Sequence, residues 1–311
     1  MKVVSLTKAA LAAGALFVAL SAIAQNDRVR YGVSFDSGQT FESLSFAKGG
    51  FPTLNFATTD GDGSVLKTLT GGVSPAPFTL QVGAGNNGGM LGWVAETFKQ
   101  EFGPIQSTRH LVIAARDQFG NAQLSDCTGA TISEVDFPAL DASSKDAAKM
   151  RIKLDPADCK QVAVNVNPRS LPRQQYFFSE RTFAWQISGI DPRTNVTNIN
   201  AVRVKYGASF GTTGIPQRFQ DDSLVEMTIP VTQGGPFQQW LSDSAKSASQ
   251  GLNDERQGSI TYFDTAGNQI GTLVLNGLGI ISIAPADLDG DGDSVVKVVM
   301  YVQSVQFNVA Q

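Results

Sequence analysis

In 311 residues there is a single histidine, His110. No zinc site built on three imidazoles can therefore form within one chain. His110 stands at the start of a strand-like run beside Arg109 and reads as an edge or surface residue rather than a catalytic base. Charge is also scarce, at 17% Asp, Glu, Lys and Arg, and the basic residues are not clustered. An acidic chain without a basic patch argues against nucleic acid or an anionic membrane as partner. No G-x-S-x-G elbow, no P-loop and no G-x-G-x-x-G after a strand occurs, so the common nucleophile and phosphate sites are missing. A carboxylate pair for glycoside hydrolysis is set by spatial distance, and nothing in the sequence singles one out. There are no residues that call for a cofactor.

The only apolar run of any length lies at the start. Lys2 and Lys8 precede the stretch from Ala9 to Leu20, and Ala22-Ile23-Ala24 forms a small-residue cleavage pattern before Gln25. This predicts a secretory signal peptide over 1–24, too short for a transmembrane anchor. The expected mature chain is exported, periplasmic or extracellular, with no membrane insertion. It carries 22 basic residues, the 24 of the whole chain less Lys2 and Lys8, against 28 acidic ones. The chain's 31 glycines and low charge point to a turn-rich β protein. "NVT" at 195–197 is a formal glycosylation sequon and is read as incidental.

What is present is a repeat. Trp93 in "LGWVAETFKQEF" is followed 147 residues later by Trp240 in "QQWLSDSAKSAS". Asp117, Gly120 and Asn121 of "RDQFGNAQL" return at the same spacing as Asp264, Gly267 and Asn268 of "FDTAGNQIG". In both places the D-x-x-G-N lies 24 residues after the Trp. Pro138 maps to Pro285 at 147. Leu140, Asp141 and Lys149 map to Leu288, Asp289 and Lys297 at 148, after one inserted residue.

Each half reads as strand, Gly-rich break, short helix, hairpin and final strand. "FTLQV" (78–82) and "LVEMTIPV" (224–231) alternate as half-buried strands do. Leu91, Val94, Phe98 and Phe102 form one apolar helical stripe. Phe237, Trp240 and Leu241 do the same behind a first-turn Pro236. Both Trp93 and Trp240 are read as core anchors, and Trp185 likewise. Asp117 and Asp264 are expected to accept backbone N–H groups in their turns, with Gly120 and Gly267 at positive φ. Long strands follow at 148–154 and 295–309. "NPRSLPR" marks a connection, giving a first domain at 25–166, a linker at 167–175 and a second domain at 176–311. The expected fold is mainly β, two tandem antiparallel sandwich or barrel domains with one short helix each.

The two cysteines admit a register argument. If the strands bearing Cys127 and Cys159 pair antiparallel about a turn near Ser143, partner positions sum to 286, as these two do. Opposite positions lie within disulfide reach. Gly129 and Pro138 are the places where that register could slip.

"DLDGDGDS" (287–294) has the spaced carboxylates Asp287, Asp289 and Asp291 and then Gly292, the first half of a calcium loop. Its twelfth position is Val298, where a bidentate Glu is needed. The counterpart "LDASSKD" (140–146) keeps only Leu140 and Asp141. The segment is therefore expected to turn the chain in both halves, and weak calcium binding at 287–293 stays open.

The ordered set of Trp-bearing helix, strand, D-x-x-G-N, strand, "P-x-L-D" segment and alternating final strand resembles the tail tube protein family of contractile phages. That family is related in fold to the tube protein of type VI secretion. "FAWQISGI" (183–190) looks like the family's opening strand. The second half carries the pattern better than the first, which is similar from Met90 to Leu154. The resemblance implies a structural role, with six domains in a ring and rings stacked into a hollow tube. Two domains per chain would make a homotrimer one ring. The export signal and the duplication depart from the family pattern and suggest a tube or filament outside the inner membrane. A secreted two-domain module that binds carbohydrate or a surface partner is the alternative reading, and an unrecognised carboxylate-pair hydrolase a third.

Overall fold

The computed structural model describes residues 30–35, 41–49, 53–61, 64–74, 76–83, 88–99, 108–116, 122–162, 171, 178–210, 216–220, 223–286 and 294–310. The expected leader at 1–24, the 287–293 run and all of the 167–175 connection except Leu171 lie outside these residues. The chain is mainly antiparallel β-structure with two α-helices among the described residues.

The first half contributes β1 (Arg30–Phe35), β2 (Glu42–Leu44), β3 (Phe46–Gly49), β4 (Thr53–Gly61), β5 (Ser64–Ser74) and β6 (Phe78–Val82). Helix α1 (Gly88–Lys99) comes next. Then follow β7 (Arg109–Arg116), β8 (Ala122–Asp136), β9 (Leu140–Asp141), β10 (Ala147–Ala148), β11 (Met150–Asp155) and β12 (Asp158–Val162). The second half contributes β13 (Phe178–Ile187), β14 (Asn198–Ile199), β15 (Arg203–Phe210), β16 (Pro216–Gln220) and β17 (Ser223–Pro230). Helix α2 (Gly235–Ser249) is followed by β18 (Arg256–Asp264), β19 (Gln269–Ala286) and β20 (Val295–Val309).

Period-two burial explains the strands. Phe78, Leu80 and Val82 are buried on one face of β6, and Val225, Met227 and Ile229 on one face of β17. Helix α1 buries Met90, Leu91, Trp93, Val94 and Phe98, and the expected stripe residue Phe102 lies outside the described residues. Its first turn is capped from afar, because the Glu42 carboxylate on β2 accepts from the Gly89 N–H at 2.7 Å and the Met90 N–H at 3.0 Å. An anion there complements the helix dipole. Helix α2 has no side-chain cap and starts on Gly234 with Pro236 in its first turn. It buries Phe237 and Trp240, whereas Leu241 is only partly covered.

Two large sheets result. In one the order is β2-β1-β7-β8-β11-β6-β3, with β12 and β15 added on β8 and β16 on β15. Its end strands β2 and β3 are neighbours in the chain, and Ser45 between them donates its N–H to the Gln81 carbonyl at 2.9 Å. In the other the order is β10-β13-β18-β19-β20-β17-β14-β9. Here too the end strands, β9 and β10, belong to one loop. Each sheet thus curls until its ends meet at a short corner segment, which removes most of its edges.

The corner of the second sheet comes from the first half. Segment 140–148, expected only to turn the chain, instead pairs with the other half: Leu140 with Ile199, Asp141 with Asn198, Ala147 with Ser179 and Ala148 with Phe178. No local signal announces this, since its partners lie far along the chain. The apolar core is correspondingly continuous across both halves. Phe137 of the first half sits 5.7 Å from Phe98, 6.0 Å from Tyr262 and 5.2 Å from Phe307, centroid to centroid. Helix α1 packs on β20. Phe41, Ala114, Leu124 and Leu171 form a small satellite cluster against the first sheet.

The ladders reproduce one another down to their irregularities. On β8, Arg109 faces Ala130 and Leu111 faces Cys127, with an extra residue accommodated at Gly129 (φ 60°). On β19, Arg256 faces Leu278 and Gly258 faces Leu275, with the extra residue at Gly277 (φ 66°). Positive φ at a bulge is what glycine permits without strain. A second bulge lies at Ser133 against β11 and at Ile281 against β20. These registers place β19 positions 148 residues after β8 ones, and β20 positions 146 after β11 ones. Lys297 therefore stands where Arg151 does, and not, as the spacing of 148 suggested, where Lys149 does. Bulges absorb single-residue insertions, so sequence spacing and sheet position diverge by a residue or two.

Candidate assembly edges

Strand β8 changes partner along one edge. It pairs with β7 as far as Ala130, bends at the Gly129 bulge, and then takes β15 of the second half on the same edge. Arg203 lies opposite Asp136, Val204 opposite Val135 and Lys205 opposite Glu134. Val204 and Val135 are both fully buried. Flanking them, Arg203 Nε is 2.6 Å from Asp136 Oδ1 and 3.3 Å from Glu134 Oε1, while Arg151 Nη1 is 3.8 Å from Asp136 Oδ2. Asp136 is only 8% exposed, and these guanidiniums are the cations beside it. The hydrogen bond to Asp136 and its charge push the Arg203 guanidinium still further up. This joint, 67 residues apart in sequence, has no local signature, and sequence reasoning missed it.

Strand β19 makes the same bend. It leaves β18 at Leu278 and continues to Ala286 against β20 alone. Among the described residues no strand covers the opposite edge of 281–286. Ile281, at the bulge, is 48% exposed. A third feature is the β4–β5 hairpin, which runs from Thr53 to Ser74 as a two-stranded sheet of its own. It sits between β3 and β6 as the β15–β16 hairpin sits between β14 and β17.

The residues singled out in the sequence fall mostly in turns and core. Trp93 and Trp240 are buried. The Phe35 ring meets Trp93 edge-on at 6.2 Å. Trp240 donates its indole N–H to the Asp254 carbonyl at 3.0 Å, with the Arg256 guanidinium 4.5 Å above its ring. Trp185 is partly covered and packs against the core. Asp264 Oδ1 accepts from the backbone N–H of Ala266 at 2.8 Å and of Asn268 at 2.7 Å, and Oδ2 from the Asn268 amide at 2.9 Å. Gly267 has φ 88°. Burial raises the Asp264 carboxyl, but these donors outweigh it and hold the carboxyl below its ordinary value. Asp117, Gly120 and Asn121 lie outside the described residues, between Arg116 and Ala122, which pair.

Cys127 and Cys159 lie opposite one another on β8 and β12 and are joined as a disulfide. His110 Nε2 is 2.5 Å from Asp126 Oδ1 on the neighbouring strand, both half-exposed. Asp287, Asp289, Asp291 and Gly292 lie outside the described residues, in the connection between the paired Ala286 and Val295. Among the described residues no group of three or more His, Cys, Asp or Glu side chains converges as metal ligands would, and no helix is long and apolar enough to cross a membrane. In the first-half corner, Asp141 Oδ1 accepts from the Ser143 hydroxyl at 2.7 Å and its N–H at 2.8 Å, which holds that carboxyl down. Strand edges are the described features built for interaction.

No protein-family model matches the chain, and no curated protein does. Solved structures similar to it include Hcp1 from Flavobacterium johnsoniae, 10% identical, covering 40% of this chain and 93% of that one, TM-score 0.29. A structure of the anti-feeding prophage cap, which terminates that particle's tube, is 12% identical over 45% of this chain and 95% of its own, TM-score 0.32. A structure of the anti-feeding prophage baseplate is 15% identical over 45% of this chain and 96% of its own, TM-score 0.34.

Proposed function

We propose that this chain is an exported, non-enzymatic structural protein that assembles with copies of itself into rings or a hollow tube. Residues 25–166 and 176–311 are its two tandem copies of one unit, joined through 167–175, so that three chains supply the six units of a ring. The observation that carries this reading is a filled edge and a counterpart that no described strand fills. The β8 edge is covered by the other half, while no described strand covers the corresponding β19 edge at 281–286, where Ile281 is exposed. An uncovered strand edge is a template for another chain, and a head-to-tail contact of that kind closes into a ring or runs on as a filament. The recurrence of both bulges, at Gly129 and Gly277 and at Ser133 and Ile281, supports the duplication. The amino-terminal sequence supports export.

Electron microscopy and sedimentation of the purified chain lacking residues 1–24 test the proposal. Rings or filaments are the expected outcome. A monomer that persists at high protein concentration would overturn it.

A further inference from the structure

We propose that copies of this chain meet as its own halves do: α2 and the end of β19 in one molecule lie against β7 and β12 in the first half of the next. This rests on the self-assembly reading above and names the surfaces that meet. The template is the contact between the halves. Helix α1 packs on β20 of the second half. Phe98 on α1 meets Tyr206 of β15 at 5.5 Å, and Phe137, just beyond β8, meets Tyr262 of β18 and Phe307 of β20. Val94, Phe98, Val135 and Phe137 are all buried.

Their counterparts in the second half are more open. The helices correspond at 147, Trp93 with Trp240, and β19 positions stand 148 after β8 ones. Val94, Phe98, Val135 and Phe137 thus become Leu241, Ala245, Ile283 and Pro285. Leu241 and Ile283 are only partly buried, and Ala245 and Pro285 are exposed. The facing side changes in the same way. Positions on β18 stand 147 after those on β7, because Leu111 faces Cys127 as Gly258 faces Leu275. Positions on β20 stand 146 after those on β12, because Cys159 faces Cys127 as Val305 faces Leu275. Tyr262 and Phe307 therefore become Ala115, which is partly buried, and Gln161, which is exposed. The strand that carries Gln161 is the one the disulfide fastens to β8.

Inside the chain one side of each half is already used in this contact. The sides left over are the Ala245 and Pro285 face of the second half and the Gln161 face of the first. They are different surfaces of one chain, so contact between them is head-to-tail and does not stop at a dimer. Alanine, proline and glutamine stand where the internal contact has phenylalanine rings. Stabilisation scales with the apolar area buried, so the contact between molecules is the weaker of the two.

The test places an arginine on each face of the chain lacking residues 1–24. Ala245→Arg and Gln161→Arg each put an unpaired guanidinium into the contact. Each should lower assembled material in sedimentation at least tenfold. Gln239→Arg, on the side of α2 where α1 has the exposed Gly92, should leave it within twofold. All three positions are exposed, so thermal melting should match that of the unaltered chain. Each arginine spoils one face only. A one-to-one mixture of the Ala245→Arg and Gln161→Arg chains, at tenfold the concentration at which the unaltered chain assembles, should therefore give a dimer of one of each. If the unaltered chain forms rings or filaments, but either variant assembles as well or the mixture stays monomeric, this interface is wrong and the assembly reading survives. If the unaltered chain forms no rings or filaments at all, the assembly reading itself fails and this contact with it.

Discussion

Cys127 on β8 faces Cys159 on β12, and the same place in the second half holds Leu275 facing Val305. Both pairs sit against the core, but only the first is covalent. The difference follows from the strands that carry them. In the first half the final strand is cut: β11 ends at Asp155, Pro156 intervenes, and β12 begins at Asp158. Proline has no N–H to give the ladder, so the run breaks there. In the second half β20 runs unbroken from Val295 to Val309, and the buried Leu275–Val305 pair is held by its neighbours on both sides. Where continuity is lost, a disulfide keeps the detached piece on β8. Where continuity is kept, apolar contact is enough.

The largest expected effect comes from removing the staple. Cys127→Ala with Cys159→Ala opens a loop of separation 32. Chain-entropy arguments put the loss at about 3–4 kcal/mol, read as a lower denaturant midpoint. Hydrogen exchange should quicken in β12 and stay unchanged along β20. Equal loss of protection in both strands would break the comparison, because it would mean that the halves do not differ in what holds their last strand.

Next in size is the joint that, among the described residues, only the first sheet has filled. Arg203→Ala leaves Asp136 nearly buried with Arg151 as its remaining cation, at 3.8 Å. Leaving a buried charged acceptor short of its donor costs about 2 kcal/mol. Adding Asp136→Asn to Arg203→Ala should recover part of that loss in a double-mutant cycle. Additive losses would mean that the contact is incidental and that β15 is held by its backbone alone.

How much of this was legible in the sequence depends on range. The Asp264 turn, the Trp-bearing helices and the β6, β17 and β20 strands follow from patterns within a dozen residues, and the structure has them where period and turn chemistry place them. The 286 register also holds through Cys127 and Cys159, but only because the Ser133 bulge shifts the β8–β11 pairing by one residue just before it. What the sequence hid is exchange between the halves. The two-residue strands β9 and β10 carry no periodicity, and their partners β14 and β13 lie in the other half. The Arg203–Asp136 pair spans 67 residues, and nothing marks either residue as different from an ordinary surface charge. The candidate edge on β19 was invisible for the same reason, since a strand's sequence does not say which of its edges is already taken.

The smallest expected effects separate the halves by the sign of their response to pH. Glu42 in the first half caps α1, and burial raises its carboxyl above the ordinary value despite the two backbone donors that pull it down. The folded state therefore holds that proton more readily than the unfolded chain does, and the stability so gained is lost as pH rises from the ordinary carboxylate value, near 4, through the folded one. Asp264 in the second half has a folded value below the unfolded one. Its contribution is present above the unfolded value and disappears as pH falls through the folded one. Each effect should stay under about 1 kcal/mol, since both groups are partly solvated. Urea melts of Glu42→Gln and Asp264→Asn across pH 3 to 7 should therefore diverge from the unaltered chain in opposite directions. The Glu42 variant gains relative stability toward neutral pH, and the Asp264 variant loses it. Slopes of one sign for both would show that the Glu42 carboxylate acts chiefly as a charged cap at the helix end, its burial offset by the Gly89 and Met90 N–H groups.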